Sequence, residues 1–230
     1  MAPFKEAPQK YLVKQAILAF RNMVRNYDAK VYKEDYFTIV DACVDHEIGL
    51  KLVEEICAPK DLDYMKHVRL SAGRLDFSKP LKDIFLVLWN SDLRDKSRAI
   101  LDAICSCRIR DIGRVDRSDI ARKRLHSIVK GFELSKLEGR VLTVAYVERK
   151  TCFSWPCLQF PSEQPILYAM ALDCPLHEVT KVLSADGKLR QYGLLDEHLV
   201  FNDSDFGDFM NGTDSDFMKK HRSMLALMDA

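Results

Sequence analysis

The residues of this chain that could do chemistry are a few cysteines, histidines, serines and glycines at short spacings. Cys105-Ser-Cys107 and the pair Cys152 and Cys157 bring thiols close enough in sequence to suggest a metal. Zinc sites usually take two well-spaced ligand pairs, and neither spacing here is the common one. Cys105 and Cys107 also fall in a helical stretch, where residues two apart point to different sides, so they read as structural thiols. His46 stands between Asp45 and Glu47, which superficially resembles a proton-handling trio. Consecutive residues on a helix diverge, so the trio reads as a solvated face. His177 and His198 are isolated, and Ser154, Ser162 and Ser184 have no motif supplying a nucleophile elbow or a base. Gly187-Lys188 runs on to Leu189 with no earlier glycine at the spacing of a phosphate-cradling loop, and Gly113, Gly131 and Gly139 fail the same test. The expectation is a chain with no catalytic residue, no cofactor and no metal site.

Charge offers more than nucleophiles do. The stretch 108–130 carries Arg108, Arg110, Arg114, Arg117, Arg122, Lys123, Arg124 and Lys130; against them stand Asp111, Asp116 and Asp119, leaving +5. Such a stripe could meet phosphate or an acidic partner, or be an exposed helix face. The stretch 196–216 carries Asp196, Glu197, Asp203, Asp205, Asp208, Asp214 and Asp216 with no Lys or Arg between them, a charge of −7. Over the whole chain Lys and Arg number 35 against 34 acids, so the near-neutral total argues against a dedicated polyanion binder while leaving local patches open.

These side chains must be positioned by helices. At 230 residues, with 47% hydrophobic and 30% charged residues, the chain can bury a sizeable core and is neither disordered nor fibrous. Its apolar runs, such as Ile84 to Trp89, are far short of the roughly 20 residues needed to span a bilayer. Met1-Ala-Pro-Phe-Lys-Glu6 meets polar residues early, and the odd number of scattered cysteines fits reduced thiols, so a cytoplasmic location is expected.

The stripe Leu12, Ala16, Phe20, Met23 and Tyr27 predicts an amphipathic helix over 9–27. Asp35 predicts the cap of a second helix with Phe37, Val40 and Val44 inward, and a third follows over 48–57. Asp61 predicts the cap of a short helix to about Leu70. Pro80 to Trp89 and a helix opened by Asp95, with Ile100, Leu101, Ile104 and Cys105 inward, come next. Gly113 marks a boundary near 111–116. From Ser118 a helix runs to a stop at Gly131, and Ser135-Lys-Leu-Glu138 forms a capping box for another. After a proline-bearing stretch over 151–165, short helices are expected over 166–172, 175–183 and 188–192. Leu194-Leu195 and Leu199-Val200-Phe201 around Asp196-Glu197-His198 predict a small hairpin, and Ser204 or Asp205 a cap for a last helix ending at Gly212. The expected fold is mainly α: a helical N-terminal domain (1–110), a helical connector (111–160), a winged-helix-like C-terminal domain with a short β-hairpin (161–212), and a tail or linker (213–230).

Gly131-Phe-Glu-Leu-Ser-Lys-Leu-Glu138 with Val141-Leu142, then Val182-Leu-Ser184, Leu189, Tyr192-Gly-Leu-Leu195, Leu199 and Phe209-Met-Asn-Gly212, resembles the region of helices and a winged helix that precedes the motor in bacterial AAA-type ATPases. The resemblance covers about a third of the chain. The nucleotide loop, acidic hydrolysis motif and arginine finger of that family are missing here. The resemblance implies a regulatory, substrate-engaging or assembly region, not itself an enzyme, whose partner is a protein or a downstream ATPase module, with oligomerisation through the parent. The alternative is a nucleic-acid-binding winged-helix regulator. The wing's carboxylates argue against ordinary duplex binding there, since a DNA-reading wing presents Lys or Arg. A hydrolase would need a deep pocket where titratable groups converge. The expected contact residues are Arg117, Arg122 and Arg124 on the basic stripe and Glu197 and His198 on the wing.

Overall fold

Eleven helices are described, and in chain order they are α1 (Lys10–Asn26), α2 (His46–Ile56), α3 (Pro59–His67), α4 (Leu81–Asn90), α5 (Arg94–Ile112), α6 (Ile120–Gly131), α7 (Lys136–Lys150), α8 (Gln164–Leu172), α9 (Leu176–Val182), α10 (Lys188–Gln191) and α11 (Asp203–Asn211). The computed structural model describes residues 10–26, 46–67, 69–70, 73–74, 81–90, 92–114, 119–150 and 164–211. The helix expected at 35–44, Arg117, Cys43, Cys152, Cys157, Ser154, Ser162 and the tail from Gly212 lie outside the described residues. The mainly α expectation holds, and no described helix is long and apolar enough to cross a membrane.

The apolar spacing of α1 explains its place. Leu12, Ala16, Phe20 and Met23 are buried, joined by Ile17, Ala19 and Val24, so the helix packs on two sides. One side meets α5 and the other α8, with α7 and α6 along its flank. Around α5 gather α2 and α4, with α3 packed against α4, and around α7 gather α6, α8, α9 and α10. Seven consecutive residues of α7, Val141 to Val147, are buried, as are Leu167 to Leu172 of α8. A helix apolar on all sides must be enclosed on all sides, which sets α7 and α8 at the centre of the C-terminal half.

Local signals act at the helix ends. The Ser135 N–H donates to Glu138 Oε2 at 2.6 Å and the Glu138 N–H to Ser135 Oγ at 3.2 Å, the reciprocal box that opens α7. Gly113 ends α5 with φ 65°, a left-handed position suited to glycine. Asp61 differs from its expected role. Helix α3 begins earlier, with Pro59 in its first turn, and Asp61 reaches back to accept from the Ala58 N–H at 2.9 Å while pairing with Lys96. That helix stops at His67; Arg69–Leu70 (β1) then pairs antiparallel with Gly73–Arg74 (β2) where helix was expected to Leu70.

The expected hairpin is corrected. Its two arms meet in a single antiparallel bridge between Leu195 and Phe201, with no strand on either side. Leu194, Leu195, Leu199 and Phe201 are all buried, so both arms turn inward instead of projecting as a wing. The Phe201 ring lies edge-on to Tyr146 at 5.0 Å and against Phe206 at 6.2 Å. The buried Tyr168 hydroxyl donates to the Leu199 carbonyl at 3.0 Å. Asp196 makes the turn itself, its carboxylate accepting from the N–H groups of His198 and Val200, both at 2.9 Å. The last helix starts at Asp203, ahead of the expected caps.

Candidate functional site

Helices α1, α6 and α7, with the end of α8, enclose a cavity of about 790 Å³. Each wall is one helix face, because residues three and four apart share a side. From α6 come Arg122, Lys123, His126 and Val129; from α7, Lys136, Gly139, Arg140 and Thr143; from α1, Tyr11, Gln15, Leu18 and Asn22. Gly139 sets the spacing of two walls. A Cβ there would stand 3.0 Å from Val129 Cγ2, so glycine lets α6 and α7 approach closely.

Polar clamps hold the walls together. Asp119 caps α6 by accepting from the Arg122 N–H at 3.1 Å, and its second oxygen accepts from the Tyr11 N–H of α1 at 3.3 Å. Asn22 donates to the Ala171 carbonyl at 2.9 Å, tying α1 to α8. Arg140 donates to the Leu172 carbonyl and, at 3.1 Å, to Cys174 Sγ. Burial pushes the Tyr11 phenol above its ordinary value, partly offset by a hydrogen bond with Thr143.

The lining carries Arg21, Arg122, Lys123, Lys136 and Arg140 together with His126, and no Asp or Glu among the described residues. The acids that open α6 and α7, Asp119 and Glu138, are turned to backbone N–H groups. Lys123, His126 and Lys136 are exposed. Arg21 Nε is buried with no hydrogen-bond partner among the described residues. A buried donor left unpaired is uncommon and costs about 1–3 kcal/mol. Convergent cations can hold an anion by charge and hydrogen bonding.

The structure divides the basic stripe. Arg122 and Lys123 face the groove, whereas Arg124 leaves it and donates to the Met210 carbonyl of α11. Arg110 donates to Cys107 Sγ at 3.1 Å near the end of α5. Glu197 and His198 sit exposed on the reversing loop, His198 Nε2 3.5 Å from Glu197 Oε1, and neither lines the groove. Sequence reading missed Arg21, Lys136 and Arg140. The signal for the last two was their spacing of four on α7, which puts both on one face. Gly187, tested above as a phosphate-loop glycine, has a packing role instead: a Cβ there would lie 2.4 Å from the Val182 carbonyl oxygen.

Cys57 and Cys105 are buried thiols, and Cys107 and Cys174 half-buried ones. No three metal-ligating side chains converge among the described residues. The chain matches no protein-family model, no curated protein and no solved structure.

Proposed function

We propose that this chain is a non-catalytic, partner-engaging region whose contact surface is the groove between α1, α6 and α7, and that the groove takes an anionic partner. The observation that carries this reading is the lining itself, where Arg21, Lys123, Lys136, Arg140 and His126 converge and no Asp or Glu takes part among the described residues. Unbalanced like charge in a concavity raises the local concentration of anions and speeds their capture. Following the resemblance, we place the region in an AAA-type ATPase, in the cytoplasm, where a motor outside these 230 residues would act on what the groove holds.

The test is binding of fluorescein-labelled poly-glutamate and of a labelled oligodeoxynucleotide at low salt. At least one binds, with affinity falling steeply as salt rises, because exposed charges are screened over about 10 Å at 0.1 M. Lys123→Glu with Lys136→Glu lowers the affinity at least tenfold, while Arg108→Glu with Arg110→Glu, outside the groove, leaves it within about twofold. Binding of neither polymer, or equal losses in both double variants, would overturn the reading.

A further inference from the structure

The groove is more than a basic patch, and its apolar floor narrows the partner. This step rests on the reading just proposed. Leu18 of α1 and Val129 of α6 line it as partly buried side chains, while Lys123, His126 and Lys136 stand exposed around them and Arg21 sits deeper. A partner bound by charge alone would leave that floor wet and the leucine unused. One that inserts apolar side chains gains about 25 cal/mol for each Å² of apolar surface removed from water. Its flanking carboxylates would then meet the exposed Lys123, His126 and Lys136.

We infer that the occupant is an acidic amphipathic polypeptide segment, with apolar side chains along one stripe and Glu or Asp on the flanks. Helical segments of this kind lay their apolar face into grooves between helices through anchors at i, i+3, i+4 and i+7. Nucleic acid fits less well. Single strands bind by stacking successive bases on a run of exposed aromatic rings, whereas among the described residues this lining offers one phenol, the half-buried Tyr11, and one exposed imidazole, His126. A duplex is read by elements that protrude into its grooves, and this surface is a hollow.

Four labelled probes carrying equal negative charge decide the matter by fluorescence anisotropy. They are a peptide with Leu at i, i+3, i+4 and i+7 and Glu elsewhere, the same composition scrambled, poly-glutamate, and a single-stranded oligodeoxynucleotide. The amphipathic peptide binds at least tenfold tighter than the other three and keeps more of its affinity at high salt, because apolar burial is not screened. Leu18→Gln brings the amphipathic peptide down to the affinity of its scramble. Lys123→Gln, at an exposed position that does not threaten folding, weakens all four probes alike. Unfolding midpoints of both variants close to the parent exclude a folding defect. Equal affinity for the amphipathic peptide, its scramble and poly-glutamate overturns this inference while leaving the anion-binding groove standing. Tightest binding of the oligonucleotide overturns it in favour of nucleic acid. No binding of any probe sinks both readings.

Discussion

Glu148 is expected to make this fold lose stability as pH rises through neutrality. The carboxyl lies near the C-terminal end of α7, partly covered, with Oε1 sealed from solvent and without a hydrogen-bond partner among the described residues. Burial pushes it from an ordinary 4.5 up to about 8. Across that window the folded chain keeps a proton that the unfolded chain has released. The stability contributed by the neutral acid is therefore fully present below 4.5 and lost as pH climbs to about 8. Inside the window the slope is about 1.4 kcal/mol per pH unit. Allowing for the rounded ends, the loss between about pH 5 and about pH 8 is roughly 3 to 4 kcal/mol, a large share of the about 5–15 kcal/mol that stabilises a typical domain. Glu148→Gln keeps the shape and removes the titration, and Glu148→Met does so without adding amide donors. Urea unfolding followed by circular dichroism across that pH range should show the advantage of each variant over the parent growing with pH by about that amount. Parallel stability curves for parent and variants would show that the buried carboxyl is already ionised in the folded chain, and the argument from desolvation would be refuted.

Three further outcomes probe the packing and capping of the fold. Gly187→Ala drives a methyl group into the Val182 carbonyl, 2.4 Å away, and backbone yields poorly, so a loss of about 1–3 kcal/mol is expected in chemical unfolding; an unchanged midpoint would count against the close approach. Tyr168→Phe leaves the buried Leu199 carbonyl without its 3.0 Å donor and should cost about 1–3 kcal/mol, with amide exchange rising first in the loop around Asp196. Asp119→Ala removes both the α6 cap and the tie to the Tyr11 N–H, and a thermal-melt loss equivalent to about 0.5–2 kcal/mol is expected; full retention would mean the cap is idle.

How far the sequence reaches can be judged residue by residue. The start of α7 follows from Ser135 and Glu138 alone, because a capping box needs only residues three apart. The burial of Leu12, Ala16, Phe20 and Met23 follows from their spacing, since a stripe at helical period must be covered by something. Asp61 was legible as a helix-start residue but not as to position, because an acid can cap from outside the helix or from its first turn. The hairpin was misread because apolar residues on both sides of a polar turn suit either two strands or two arms folded inward. The rings of Tyr146, Phe206 and Tyr168, reached only through tertiary packing, chose the second.

The groove lies wholly on the tertiary side of that line. A basic block was visible in the chain, but charge along a sequence does not say which way side chains point. Arg122 and Arg124, two residues apart on one helix, part company, one to the groove and the other to the Met210 carbonyl. Arg21 lies on α1, far in sequence from Lys123 on α6 and Lys136 on α7, and no local pattern relates it to them. Among the described residues, sequence alone determined most of the segments that become helices, where several of them stop and which faces must be buried, because those are short-range matters of hydrogen bonding and solvation. Which cations share a hollow, and that no described carboxylate shares it with them, was decided only when α1 packed across α6 and α7, with Gly139 allowing the approach.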